Sequence, residues 1–186
     1  MPLRYLSADQ LLADAQRLAL LVLERDYHAD LLIALWRGGT PIAIAMHEVF
    51  VLAKRPCRHT VIGASSYSGL DHQHSVEFTG MDHLPALLRD CSKVLVIDDV
   101  FDTGRTLAAL RTTLHAMNGQ MELRFATPWY KPSRNVTDMQ PDFYLHSTED
   151  WLVFPHELVG LDREQLLAKP QAKDLLARLA ELPTLP

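Results

Sequence analysis

The sequence predicts a doubly wound α/β fold, a mostly parallel sheet with helices on both faces. Three observations lead there. Apolar runs without alternation, at Leu31–Trp36 and over 93–98, have the length of strands covered on both faces. Segments of helical periodicity separate such runs, so strand and helix alternate through the middle of the chain. At the end of the 93–98 run, acidic residues and a glycine turn lead into a helix, the place where open α/β sheets gather ligands.

Ser7-Ala8-Asp9-Gln10 has capping-box spacing, and Leu11, Ala15, Leu18 and Val22 recur after it at helical intervals, which predicts a first helix to about Arg25. Leu31–Trp36 is the first buried strand. Thr40-Pro41 supplies an N-cap and a proline for the first helical position, opening a helix to about Ala53. Residues 60–64 read as a second strand. From 65 to 80 the chain turns polar, with Gly69, three hydroxyl residues at its start and no Lys or Arg, the marks of a mobile loop. A short helix over 83–88 leads to the strand at 93–98. A helix over 105–117 stops at Asn118-Gly119, and 121–127 is a fourth strand. Beyond Pro128 the pieces shorten: 143–146 and 151–154 read as strands, and the tail from Asp162 as helical around Pro170. No repeat, low-complexity tract or linker divides the chain. It reads as one domain over 1–186, with a core at about 31–157 and a helical tail at about 162–181.

Composition narrows the function classes. The 186 residues are 48% apolar and 22% charged, with 8 Gly and 11 Pro, the make-up of an ordinary globule. A chain of this length buries roughly 70% of its unfolded surface and needs no disulfide or structural metal. Cys57 and Cys91 lack C-x-x-C spacing and read as thiols of a reducing compartment. The longest apolar runs, 18–23 and 31–36, are far short of the about 20 residues that cross a bilayer, and the polar start lacks a secretory signal. A cytoplasmic protein without a membrane span is expected. Eighteen Lys and Arg against 23 Asp and Glu leave a charge of −5, which sets no field for a nucleic-acid backbone. The cations are mostly single Arg residues, suited to local recognition of phosphates or carboxylates.

The chemistry concentrates after the strand that begins at Val94. That strand delivers Asp98 and Asp99, then Asp102, then Thr103-Gly104-Arg105-Thr106 at the start of a helix. Free N–H groups at a helix N-terminus attract phosphate. Gly104 permits close backbone approach, and the hydroxyls and the Arg105 guanidinium add donors. Acids beside such a nest repel a phosphate unless they bind sugar hydroxyls or a divalent cation stands between the charges. A single Asp here would be a turn or N-cap residue, but the whole string is not explained that way. One strand-helix unit earlier, Trp36-Arg37-Gly38-Gly39 repeats the logic. Two glycines let backbone N–H groups turn toward an anion, and Arg37 can grip it with paired donors.

The string from Val94 to Thr106 resembles, residue for residue, the signature of the type I phosphoribosyltransferases, which bind phosphoribosyl pyrophosphate (PRPP). The resemblance implies that Asp98 and Asp99 hold the ribose hydroxyls near Mg²⁺, that Thr103, Gly104, Arg105 and Thr106 hold the 5′-phosphate, and that Asp102 is catalytic, moving a proton at the base nitrogen. It implies a pyrophosphate loop at Arg37, Gly38 and Gly39, and a flexible lid that opens with Ser65-Ser66-Tyr67. Ser66 and Tyr67 then join the PRPP contacts. A lid without Lys or Arg must act through backbone, hydroxyl or histidine donors.

Lys131-Pro132 and the segment from Trp151 to Glu157 resemble the base-binding segments of the 6-oxopurine phosphoribosyltransferases, especially the short microbial xanthine-guanine and hypoxanthine-guanine types. This implies a small base-binding hood of C-terminal strands. In it the Lys131 ammonium donates to the 6-oxo group, Trp151 stacks on the ring, and the Leu152 backbone reads the ring edge. Glu157 corresponds to an acid that helps hold a second Mg²⁺, where relatives often carry Asp. The expected reaction is transfer of the phosphoribosyl group from PRPP to hypoxanthine, guanine or xanthine in purine salvage, by a homodimer or homotetramer. Two other readings stand beside it. One is a phosphoribosyltransferase for another base, which needs neither Lys131 nor Trp151. The other is a PRPP-sensing regulator without catalysis, disfavoured by the negative charge and by the about 30 residues ahead of the first strand. His72-Gln73-His74 has metal-compatible spacing but no further ligand at a set interval, and reads as solvent-facing.

Overall fold

The apolar runs become the centre of a five-stranded sheet in a computed structural model, which describes residues 2–68, 74–170 and 172–182. In chain order the elements are β1 (Leu3–Tyr5), α1 (Ala8–Glu24), β2 (Leu31–Trp36), α2 (Gly39–Leu52), β3 (Arg58–Ser68), β4 (His74–Thr79), α3 (Leu84–Leu88), β5 (Lys93–Ile97), β6 (Val100–Phe101), α4 (Arg105–Met117), β7 (Glu122–Ala126), β8 (Trp129–Tyr130), a 3₁₀ turn at Pro132–Arg134, β9 (His146–Ser147), β10 (Trp151–Val153), α5 (Arg163–Leu167) and α6 (Ala172–Glu181). Contacts divide them into two compact units, Asp9–Glu149 and the combination of Met1–Ala8 with Asp150–Pro186.

In the larger unit the strand order is β4-β3-β2-β5-β7, parallel except for β4. Residues 31–35 and 94–97 are at most 2% exposed, which is why their sequences show no polar alternation. On one face Leu31, Ile33, Leu35, Val94 and Val96 share a core with Leu84 and Leu88 of α3 and Leu107, Leu110 and Leu114 of α4. On the other, Leu32 and Ala34 face Ala43 and His47 of α2. Each fully buried Leu, Ile or Val side chain among these contributes roughly 1.5–3 kcal/mol on burial. Polar clamps fix the ends. Asp30 accepts from the N–H groups of Ser92 and Lys93 at 2.7 and 2.8 Å, tying the start of β2 to the start of β5. Asn118 ends α4 and donates through Nδ2 to the Leu88 carbonyl at 2.9 Å.

Three expectations are corrected. Much of the 65–80 segment, expected as a loop, is strand: β3 runs to Ser68 and pairs antiparallel with β4. Val76 and Phe78 are half-buried while Glu77 and Thr79 are exposed, so the polar composition belongs to the wet face of a hairpin. Residues 69–73, with Gly69 and His72, lie outside the described residues. Thr40 is not an N-cap: Gly38 holds that position, α2 begins at Gly39, and Thr40 and Pro41 fall within its first turn. A helix that starts two residues early needs the small residues that sit there. Strands β6, β8 and β9 were not expected as they stand. They have two residues each and form a separate parallel sheet in the order β6-β8-β9, built by long-range pairing with no local signal.

In the smaller unit β10 pairs in parallel with β1, Leu3 opposite Trp151 and Tyr5 opposite Val153. The expected C-terminal hood strand therefore takes its partner from the N-terminus. Asp162 caps α5 through a capping box with Gln165. No helix among the described residues is long and apolar enough to cross a membrane. Cys57 and Cys91 are both free thiols.

Candidate functional site

The acid pair stands where β5 leaves the sheet. The Asp98 N–H still donates to the Ala126 carbonyl of β7 at 3.2 Å, so its backbone is held by the last rung of the ladder. Its Oδ1 accepts the Asp99 N–H at 3.0 Å. Burial, reinforced by the neighbouring Asp99 charge, pushes the Asp98 carboxyl well above the usual carboxylate range. Two acids held this close favour any ligand that brings hydroxyl donors or positive charge.

The β2–α2 turn packs directly onto that end of β5. A Cβ on Gly38 would collide with the Asp99 carboxylate, and one on Gly39 with the Ile97 carbonyl. Gly38 has helical φ and ψ of −62° and −41°, so space and not backbone freedom demands glycine here. The Trp36–Arg37 peptide is cis, and the Arg37 side chain is exposed.

The nest follows β6. Gly104 adopts φ of +79°, a left-handed conformation that glycine enters without strain, and it caps α4. A side chain there would also strike Thr137 Oγ1 and the Phe101 ring, at 2.6 and 2.7 Å. Asp98, Asp102, Thr103, Gly104 and Thr106 line one cavity of about 70 Å³. That is far below the 300–1,000 Å³ of whole-ligand pockets and suits a single small group at the head of the helix. Arg105 is exposed.

Asp102 is held by two cations. Lys131 Nζ lies 3.4 Å from its Oδ2 and Arg134 Nε 2.5 Å from its Oδ1. Lys131 is 3% exposed, and its own N–H donates to the Phe101 carbonyl at 2.9 Å, which fixes the strand behind it. Sequence reasoning passed over Arg134. Arg134 ends the 3₁₀ turn that Lys131 precedes, and only folding shows that the two reach the same carboxylate. Asn135 secures the turn, donating to the Met139 carbonyl at 2.6 Å and accepting the Thr137 N–H at 3.0 Å.

The larger unit thus brings together Gly38, Gly39, Asp98 and Asp99 in one packed corner, and Asp98 with Asp102, Thr103, Gly104 and Thr106 in one cavity. Ser66 and Tyr67 lie on β3, their backbones opposite Val76 and Ser75. Trp151, Leu152 and Glu157 belong to the smaller unit. There Trp151 is 48% exposed, Leu152 is buried, and Glu157 Oε2 accepts the Phe154 N–H at 3.0 Å, closing a turn. No group of three His, Cys, Asp or Glu side chains among the described residues could cage a metal alone. The Asp98–Asp99 pair fits Mg²⁺ instead, an ion that one or two carboxylates hold together with phosphate oxygens and water.

Comparison with known proteins shows the family of the chain. The model of the phosphoribosyl transferase domain matches residues 4–161. Xanthine-guanine phosphoribosyltransferase of Chromohalobacter salexigens is 29% identical over 172 residues, 90% of this chain and 92% of that protein. The enzyme of the same name from Desulfotalea psychrophila is 29% identical over 89% of this chain and 93% of its own length. The crystal structure of purine phosphoribosyltransferase from Pyrococcus horikoshii superposes with a TM-score of 0.70 at 29% identity, over 88% of this chain and 99% of that one. Because the family match runs through residues 4–161, and so takes in both turns and the sheet that carries them, this chain belongs to the phosphoribosyl transferase family and is an enzyme of that class.

Proposed function

We propose that the protein transfers the phosphoribosyl group from PRPP to a 6-oxopurine, giving the nucleoside 5′-monophosphate and pyrophosphate in purine salvage. The observation that carries the reading is the cavity shared by Asp98, Asp102 and the Thr103–Thr106 nest, with the glycine turn packed on Asp99 beside it. The relatives named for xanthine and guanine supply the base class.

In this reading Thr103, Gly104, Arg105 and Thr106 anchor the 5′-phosphate, the one charge of the substrate that does not change during the reaction. The Asp98 and Asp99 carboxylates take the ribose hydroxyls and favour the positive charge that builds on the sugar as the anomeric bond breaks. They would also hold Mg²⁺, with Glu157 helping at a second ion, and the ion would supply charge neutralisation at the departing pyrophosphate. Arg37 and the N–H groups of Gly38 and Gly39 receive that pyrophosphate, while the strand carrying Ser66 and Tyr67 flanks it. Asp102 takes the proton from the base nitrogen. Lys131, which has three donors, spends one on Asp102 and offers another to the 6-oxo group, Trp151 stacks on the ring, and the Leu152 backbone reads its edge. The whole chain acts as one cytoplasmic catalytic domain, assembled as a homodimer or homotetramer.

The test is pyrophosphate release with hypoxanthine, guanine, xanthine, adenine and uracil, with and without Mg²⁺. Turnover confined to 6-oxopurines and dependent on Mg²⁺ supports the reading. Turnover of uracil or adenine alone, or of no base, removes it.

A further inference from the structure

Lysine is seldom buried, yet Lys169, in the tail beyond the residues that match the family, is 5% exposed. Its position is set by the backbone: its N–H donates to the Leu166 carbonyl at 3.0 Å as α5 ends, and its carbonyl accepts the Ala172 N–H at 3.2 Å. From there the side chain reaches back to the segment that follows β10. Nζ donates to the Phe154 carbonyl at 2.5 Å and lies 3.4 Å from the Pro155 carbonyl. The same Phe154 residue donates its N–H to Glu157 Oε2, and the preceding Val153 carbonyl accepts the Leu6 N–H at 3.0 Å. Successive backbone groups directly after Trp151 and Leu152 are thus held one by one.

Around Lys169 directional bonds add to the packing of Leu6, Val153, Phe154 and Ala172, which are all buried. Beside Lys169 lies a cleft of about 440 Å³, lined by Tyr5, Leu6, Ser7, Pro155 and Pro170 among others. Next to this gap the Lys169 ammonium ties the tail to the Phe154 carbonyl, and a charged donor makes the stronger bonds. Burial lowers the Lys169 pKa, and the Glu157 carboxylate opposes that shift. The arrangement tolerates the desolvation because the ammonium is met by carbonyl oxygens.

We infer that Lys169 is a positioning residue for the base: its ammonium pins the Phe154 and Pro155 carbonyls and so fixes the strand whose Trp151 and Leu152 receive the purine. The inference rests on the purine reading above. It gives the C-terminal tail a part in the reaction, acting on base recognition and leaving the PRPP-binding corner to the larger unit.

Steady-state kinetics of the full chain decides it, comparing wild type with Lys169→Met, which keeps the stem and removes the donors, and Lys169→Arg, which keeps the charge in a different geometry. The wild-type arm comes first: if no 6-oxopurine is turned over, the functional reading fails, and with it this one. Given turnover, KM for the purine should rise by on the order of tenfold in Lys169→Met, the scale of one lost charged hydrogen bond, and by less in Lys169→Arg. KM for PRPP should stay within about twofold of wild type in both. Should Lys169→Met not fold, Lys169→Arg is read on the same comparison of the two substrates. A purine KM that does not move in the folded variants, or that moves only in step with the PRPP KM, overturns the inference.

Discussion

The main chain of Gly38 lies against the carboxylate of Asp99, with no room for a Cβ between them. This contact joins two turns that are about 60 residues apart in the chain and makes them one structural corner. The turn after β2 cannot shift without moving the acid at the end of β5, and the reverse also holds. If, as proposed, the leaving group is received at Gly38 and the sugar at Asp99, van der Waals contact keeps the two in register, the condition for effective positioning.

Gly38→Ala tests that coupling. The φ and ψ of −62° and −41° suit alanine, so the substitution carries no backbone strain and only displaces the Asp99 carboxylate. The protein should fold, with a loss of about 1–3 kcal/mol from overpacking. Its kcat/KM for PRPP should fall by about 10²-fold, the scale of a misplacement near 1 Å. Wild-type kcat/KM in a folded variant would show that the contact does not position anything.

Gly104→Ala and Gly160→Ala separate backbone strain from collision. Both glycines have positive φ, +79° and +88°. A Cβ on Gly104 meets Thr137 and Phe101, whereas one on Gly160 meets nothing within 4 Å. Gly160→Ala should cost about 1–2 kcal/mol, the left-handed penalty alone. Gly104→Ala should cost more, by about 1–3 kcal/mol of overpacking, and should abolish PRPP binding because the nest opens. Chemical denaturation and a binding titration read both, and equal costs in the two variants would refute the steric argument.

What was legible in the sequence follows from the range of the forces involved. The runs at 31–35 and 94–97 declare themselves because burial on two faces leaves no polar residue to interrupt them. The nest was legible because Asp98, Asp99, Asp102 and Gly104 fall within seven residues of the chain, so their spacing can be read directly. The β3–β4 hairpin was not, since Ser65, Ser66, Glu77 and Thr79 weigh on composition more than the half-buried Val76 and Phe78 weigh on pattern. Nothing near Leu3 in sequence shows that it pairs with Trp151, and parallel partners need long crossovers that leave no local trace. Arg134 and Lys169 stayed hidden for the same reason. Each meets a partner, Asp102 or Phe154, that the chain brings near only on folding.

Asp98→Asn should raise stability while lowering activity. Burial and Asp99 hold the Asp98 carboxyl above its unfolded value, so the wild-type fold carries a penalty that is absent below about pH 4, grows as pH rises from there to the raised value, and is constant above it. The amide carries no such penalty. Thermal melts should then show the variant more stable than wild type near neutral pH, with the gain vanishing in acid, a common exchange between stability and function. A stability difference that is flat with pH, or that grows in acid, would contradict the sign argued here.

Arg134 and Asp102 should prove coupled in catalysis and nearly silent in stability. Their side chains are 34% and 30% exposed, and partly exposed ion pairs contribute at most about 1 kcal/mol to folding. Asp102→Asn should depress kcat by about 10²–10⁴-fold, the loss of a general base, with PRPP affinity held within a few-fold. Arg134→Met frees the carboxylate to rotate about its tether to Lys131, so it should lower kcat less, by about tenfold, and leave the melting temperature close to wild type. If Arg134 acts by orienting Asp102, its substitution has no further carboxylate to disturb once Asp102→Asn is present. The two effects should then be far from additive, with a coupling of about 1 kcal/mol or more on kcat. Additive losses would place Arg134 on the substrate directly, and an unchanged kcat in Arg134→Met would take the 2.5 Å contact out of the mechanism.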